Sequence, residues 1–247
     1  MYESVTLSLT GNSTILFTNY FPSISLYEDS EIALLCLQTF NSFPNINQDN
    51  NKFAIQAVNR DYNNNDRTWC YIKLEEGCYE IKDIKHRVEE QINIYNEKFD
   101  TELTFDISVD PNDFRSYITC NGILHFEVLH SIASVLGFEK RVYKPDYVTH
   151  RSEKAVNLNT IYSIKVMCNI AEGSFSNHLQ SHSIYEFFPS ETSGSKVIQS
   201  PPNLIYYKLN KTNIDTITVQ LVDQDHNPID NFGETLTVVL HIKRYGS

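Results

Sequence analysis

Residues Ile214–Lys243 read Ile-Asp-Thr-Ile-Thr-Val-Gln-Leu-Val as far as Val222, Asp-Gln-Asp-His-Asn-Pro-Ile-Asp-Asn-Phe-Gly-Glu as far as Glu234, and Thr-Leu-Thr-Val-Val-Leu-His-Ile-Lys to the end. Ile217, Val219 and Leu221 alternate with Thr216, Thr218 and Gln220, and Leu236, Val238, Leu240 and Ile242 alternate with Thr237, Val239, His241 and Lys243. A period of two gives each arm one apolar and one mostly polar face, the pattern of a half-buried strand. The Asp, Asn, Pro and Gly residues between them supply turns and left-handed backbone. The stretch therefore predicts a β-hairpin whose connection, too long for a two-residue turn, runs through solvent. Two such strands need a second sheet or helices over their apolar faces, and the rest of the chain has to supply that cover.

A chain of 247 residues buries roughly three quarters of its unfolded surface, enough for a core without staples. The 15 Tyr and 14 Phe, with many Ile, Val and Thr and only 8 Gly, favour strands over a helical bundle. A formal net charge of -11 with scattered Lys and Arg argues against a protein that coats nucleic acid, because neutralising phosphates needs clustered cations. Cys36, Cys70, Cys78, Cys120 and Cys168 are odd in number and show no C-x-x-C spacing. Neither a zinc site nor a complete disulfide framework follows, and buried reduced thiols are expected. Met1–Leu7 lacks a charged segment followed by an apolar run, and no segment approaches the ~20 apolar residues of a membrane span. A soluble protein made in the cytosol is expected, so the sequons at Asn12 and Asn210 carry little meaning.

Residues 1–28 hold two short alternating runs, Val5–Leu9 and Thr14–Phe17, and read as an N-terminal strand or arm. Glu31–Thr39 is a nearly continuous apolar run that fits a strand buried on both faces, with a short helix as the lesser option by pattern. Polar loops at 41–51 and 59–67 flank a strand at 52–58, and Thr68–Leu74 resumes the alternation with Trp69, Tyr71 and Lys73 on one face. The period then changes: Ile81, Ile84, Val88, Ile92 and Tyr95 form one helical stripe, opposite a solvated face of Lys82, Lys85, Arg87, Glu89, Glu90 and Asn93. Leu103–Val109 and Tyr117–Thr119 form a second predicted hairpin. A shorter helix is expected over His125–Leu136, with Gly137 just past its C-cap. Tyr143–Asn157 reads as a surface loop, Leu158–Ile170 and Ile184–Phe188 as strands, Ser190–Ser200 as a flexible external loop and Leu204–Leu209 as a strand. No linker divides the chain. The expectation is an N-terminal strand or arm over 1–28 and one domain over 29–247, an antiparallel β-sandwich with two inserted α-helices. Its long excursions between strands suit a single jelly roll.

Chemical motifs are weak. Gly173-Ser174-Phe175 and Ser193-Gly194-Ser195 do not complete a G-x-S-x-G elbow. His178 and His182 sit among loop residues with no carboxylate pattern to complete a metal site. Asp223-Gln224-Asp225-His226-Asn227 opens like a calcium loop but has Pro228 where glycine is needed, so a side-chain-capped turn is expected. Asp230 and Glu234 have no identifiable catalytic partner, and Glu234 is expected to cap or to pair with a basic side chain at a subunit or loop contact. Tyr206-Tyr207 with Trp69 form the residual candidate for a sugar platform. No catalytic residue, cofactor or metal site is expected, and the chain reads as a non-enzyme.

Leu136-Gly137-Phe138 after a short helix, Ile164–Ile170 followed by Gly173-Ser174-Phe175, then His182–Phe187, and finally Asp223-Gln224-Asp225 leading to Gly233–Val238 together resemble the penton-type minor capsid protein of Polinton (Maverick) elements and related adintoviruses. The resemblance spans about residues 70–243 and rests on order and spacing. Where that family ends on D-F-R-G-E, this chain has Asp230-Asn231-Phe232-Gly233-Glu234, without the arginine or any salt bridge it would make. The resemblance implies a single jelly-roll subunit that forms homopentamers at the fivefold vertices of an icosahedral capsid, partnered by a double jelly-roll major capsid protein. It implies a virion protein made in the host cytoplasm, with assembly in the nucleus one option. A lectin-like or receptor-attachment sandwich, binding through loops 171–183 and 190–202, is the alternative.

Overall fold

The computed structural model describes residues 2–57, 69–144, 149–176 and 179–245. The chain forms two compact units, one of Met1–Phe43 with Ile161–Ser247 and the other of Pro44–Thr160. No linker composition marks this division. The first unit opens with β1 (Tyr2–Gly11), β2 (Ile15–Ser25) and β3 (Glu31–Phe40). The second unit contains β4 (Lys52–Gln56), β5 (Trp69–Lys73), the helix α1 (Ile81–Phe99), β6 (Phe105–Val109), β7 (Arg115–Cys120), β8 (Ile123–His125), β9 (Val142–Tyr143) and β10 (Thr149–Ala155). The chain returns to the first unit through β11 (Ile164–Cys168), β12 (Ala171–Glu172), β13 (Ser174–Ser176), β14 (Leu179–Ser181), β15 (Ser183–Phe187), β16 (Lys196–Gln199), β17 (Tyr207–Leu209), β18 (Asn213–Val222) and β19 (Leu236–Tyr245).

In the first unit one sheet runs β1-β19-β3-β17-β12, with β16 also on β3, and the other runs β15-β11-β18-β2. All these pairings are antiparallel. From β1 to β3 and again from β17 to β19, strands successive in sequence pass from one sheet to the other, the winding of a jelly roll. The protein is thus a mainly β, antiparallel jelly-roll sandwich, as expected. Residues 2–25 run as β1 and β2, and β1 pairs with β19 along its whole length, from Tyr2 against Tyr245 to Gly11 against Leu236.

Both arms of the 214–243 stretch are strands, but they do not pair with each other. β18 lies between β2 and β11, and β19 between β1 and β3. The hairpin expectation is corrected for a physical reason. Either arrangement satisfies the backbone hydrogen bonds, but only facing sheets bury both apolar faces. Ile217, Val219 and Leu221 from one arm and Val238, Leu240 and Ile242 from the other join a single core and are fully buried. At roughly 1.5–3 kcal/mol for each large aliphatic side chain buried, that difference decides the topology.

The second unit has a sheet β5-β4-β8-β9 and a sheet β10-β7-β6 around its own core. Helix α1 buries the predicted Ile84, Val88, Ile92 and Tyr95. Its start is fixed where the Asp83 carboxylate accepts the Glu80 N–H at 2.9 Å. It ends at Asp100, in left-handed backbone with φ 52°.

Several expectations are corrected. The helix over His125–Leu136 is a single 3₁₀ turn at Ile132–Ser134, because His125 closes β8 and His130 takes φ 59°, which no helix continues. An isolated segment this short has no reserve of helical stability against such a break. Gly137 does close the turn, at φ 81°, with the Phe138 N–H donating to the Ala133 carbonyl at 2.8 Å. The polar stretch 143–157 contains β10, which pairs with β7 and buries Ser152 and His150. The strand expected over 158–170 is confined to β11, since the unit boundary falls at Thr160 and Ile161. The 190–200 loop contains β16, anchored on β3 by fully buried Val197. The loop expected at 59–67 lies outside the described residues.

β9 and β10 are joined by a charged knot. The Tyr143 hydroxyl meets both Glu153 carboxylate oxygens, at 2.8 and 2.9 Å, while Arg141 pairs with Glu153 at 2.5 Å and lies over the Tyr143 ring. Burial pushes the Glu153 carboxyl up, but hydrogen bonds from Arg141, Tyr143 and the Glu139 N–H outweigh it and hold it below the ordinary carboxylate value. A folded value below the unfolded one stabilises fully above the unfolded value and is lost as pH falls through the folded one. Glu153→Gln should therefore cost about 1–3 kcal/mol near neutrality and flatten the acid limb of stability, checked by urea unfolding across the acidic range.

Candidate functional site

Several of the stretches singled out for chemistry are held by hydrogen bonds within their own loops. Asp223 organises the 223–227 turn: its Oδ1 accepts the N–H groups of Asp225 at 2.9 Å and Asn227 at 2.8 Å, and its Oδ2 accepts from Asn227 Nδ2 at 3.1 Å. This is the side-chain-capped turn that the sequence predicted in place of a calcium loop. Asp223→Ala should cost about 1 kcal/mol in unfolding experiments, the usual value of such a cap.

Asp230 Oδ1 accepts the Phe232 N–H at 2.9 Å, and Phe232 and Gly233 take left-handed backbone with φ 53° and 71°. Glu234 is exposed and forms no ion pair among the described residues. The residue that holds this loop was missed in the sequence. Asn231 is buried, with its Nδ2 donating to the Glu234 carbonyl at 2.7 Å and its own carbonyl accepting from Ser42 Oγ at 2.8 Å.

His182 Nδ1 lies 2.7 Å from the Ala171 carbonyl, and its proposed partner His178 lies outside the described residues. No group of three or more His, Cys, Asp or Glu residues suited to a metal occurs among the described residues. Ser193–Ser195 belong to a turn in which Thr192 Oγ1 and Ser195 Oγ are 2.8 Å apart. Cys70, Cys120 and Cys168 are buried, and burial pushes each thiol up to about 11, away from nucleophilic thiolate chemistry. Trp69, in the second unit, stacks on Tyr71 and meets the edge of His125. Tyr206, in the first unit, donates to or accepts from His241 Nδ1 at 2.8 Å and carries the Lys243 ammonium over its ring at 3.5 Å.

What the surface does present is apolar area. β2 is an edge strand of its sheet, and along it Phe17 is 61% and Phe21 103% exposed, with Ile15 also open. At the other edge of the same sheet is β15, followed directly by exposed Phe188, and Phe175 on β13 is exposed as well. Large aromatics facing water on a sheet edge are suited to adhesion, not to bond-making chemistry. Among the described residues no helix is long and apolar enough to cross a membrane.

The winding of two antiparallel sheets, with a compact unit inserted in the sequence between β3 and β11, defines a jelly-roll protein. No family model matches the chain, and no curated protein matches it. Among solved structures it is similar to the SeMet-labelled mavirus penton protein, with a TM-score of 0.53 and 10% identity over 99% of this chain and 100% of that one. At that identity the likeness is one of fold.

Proposed function

We propose that this protein is a structural virion protein, a penton subunit that forms homopentamers at the fivefold vertices of an icosahedral capsid. The observation that carries the reading is the fold itself. The sheet orders β1-β19-β3 and β15-β11-β18-β2 accompany a likeness to a penton protein that runs over nearly the whole of both chains. A second feature supports it. A closed ring is heterologous, so each subunit needs two different adhesive surfaces. The exposed aromatics at the β2 edge and beside β15, at the two edges of one sheet, supply such a pair.

In this reading residues 1–28 belong to the jelly roll through β1 and β2, and the second unit is an insertion carried by it. The partner is a double jelly-roll major capsid protein, as in Polinton- and adintovirus-type particles, and the protein works in the virion without cofactor or catalysis. Co-expression with such a major capsid protein followed by particle reconstruction tests this. Density of the jelly roll at fivefold vertices is expected, and particles that close with vertices made of another protein would sink the assignment.

A further inference from the structure

Lys165 lies in the buried strand β11 and is only 8% exposed, yet it has no ion pair among the described residues. Its ammonium instead reaches three neutral groups: Ser176 Oγ at 3.3 Å, the Gln224 carbonyl at 3.1 Å and His226 Nε2 at 3.2 Å. Glu186 stands opposite Lys165 in the β11–β15 register, but its Oε1 is held by the Ser163 hydroxyl at 2.6 Å. Beside the ammonium is a cavity of about 490 Å³ lined by Lys165, Ser174, Ser176, Ser181, Ser183 and Tyr185, among others. A buried cation without a counter-charge costs free energy that neutral acceptors offset only in part.

The tautomer of His226 follows from this geometry. An ammonium only donates, so His226 Nε2 must be the acceptor, and the ring is neutral with its proton on Nδ1. His226 Nε2 also lies 3.1 Å from Ser176 Oγ, so Lys165 Nζ, Ser176 Oγ and His226 Nε2 form a triangle with sides of 3.1–3.3 Å. When His226 gains a proton, Nε2 becomes a donor and two cations face each other. The corners of the triangle are then two N–H donors and a hydroxyl, and one oxyanion oxygen seated over it is within hydrogen-bond reach of all three.

We propose that this triangle and the adjoining cavity form an oxyanion site, for a sulfate-, phosphate- or carboxylate-type group, that binds more tightly as His226 protonates. The other titratable groups around His226 are accounted for. β11 presents Lys165, β15 presents Tyr185 and Glu186, and β17 presents Tyr207, all lining the cavity. On its own turn Asp223 is occupied by backbone and side-chain donors, and Asp225 Oδ2 accepts from Gln224 Nε2 at 3.2 Å. The bound group would link β11, the β13–β14 hairpin and the 223–227 turn.

The test is calorimetric titration of the full chain with sodium sulfate against ionic-strength-matched sodium chloride, at about pH 5.5 and about pH 7.5, which bracket histidine titration. Saturable sulfate binding about tenfold or more tighter at the lower pH is expected, the factor that one added hydrogen bond to a charged group supplies. Lys165→Met should abolish it at both values, and His226→Gln should remove the pH dependence. Parallel titrations with acetate distinguish a carboxylate site from one for tetrahedral oxyanions. No saturable binding at the lower pH overturns the proposal, and so does pH dependence that persists in His226→Gln. Binding unaffected by Lys165→Met means an adventitious ion only. Should Lys165→Met fail to fold by circular dichroism, His226→Gln decides alone, since His226 is exposed. The site does not depend on the capsid reading, because sulfate binding and assembly are measured separately.

Discussion

Gly137→Ala is expected to destabilise the second unit by about 2–5 kcal/mol. Gly137 takes φ 81°, where a side chain costs about 1–2 kcal/mol for the left-handed backbone alone. A Cβ there would also lie 2.2 Å from the Lys154 carbonyl oxygen and 2.9 Å from its carbon. Those atoms belong to β10, which is fixed by its pairing with β7 and by the Lys154 N–H donating back to the Gly137 carbonyl at 2.9 Å. Backbone cannot yield as a flexible side chain does, so overpacking adds about 1–3 kcal/mol. Gly233→Ala is the control: φ is 71°, but nothing lies within 4 Å, so only the conformational part of about 1–2 kcal/mol applies. Urea unfolding of the two variants should separate them clearly, and equal losses would contradict the close approach of β10.

Phe17→Asp with Phe21→Asp is expected to convert a pentamer into free subunits while leaving the fold intact. Both side chains are exposed along β2, so the replacements remove no core contact of the subunit. In a ring they would be covered. Burial of a large aromatic contributes about 1.5–3 kcal/mol, and burying an unpaired carboxylate opposes association by several kcal/mol more. Because the same contact recurs at every subunit junction, the effect on ring closure is cooperative. Leu129→Asp, at an equally exposed aliphatic residue of the second unit, should leave the mass unchanged. Sedimentation of the three proteins, with circular dichroism to verify folding, checks this. A doubly substituted protein that stays assembled would move the interface elsewhere.

The strands of the opening stretch were legible because alternation is local. Ile217, Val219 and Leu221 declare one buried face whatever lies beside them. Their partners were not legible, since β19 is flanked by Tyr2–Gly11 on one side and by Glu31–Gln38 on the other, both from the far end of the chain. Helix α1 was readable from four turns of consistent stripe, whereas His125–Leu136 carried the same apolar spacing over too few residues to reveal the left-handed His130. The division into two units left no trace in composition, because the crossing at Phe43 and Pro44 is made without a Gly- or Ser-rich linker.

In the candidate site, Asp223–Asn227 is legible as a capped turn, because Asx chemistry is also local. Asn231 and Lys165 are not legible there in the same way. Asn231 looked like one more polar loop residue, and only the fold shows that it is buried. Lys165 did leave a signal, a lysine inside the apolar run Ile164–Cys168 that otherwise reads as a buried strand. A charge in such a position has to find partners, and here they come from the loop following β18 and the hairpin following β12.

The most direct measurement of the account is the mass of the purified protein in solution by sedimentation equilibrium or native mass spectrometry. A ring of five 28.6 kDa chains has a mass of about 143 kDa (five times 28.6), and that is the species expected. A protein that remains at 28.6 kDa under all conditions, or that closes as a dimer, would contradict the penton reading.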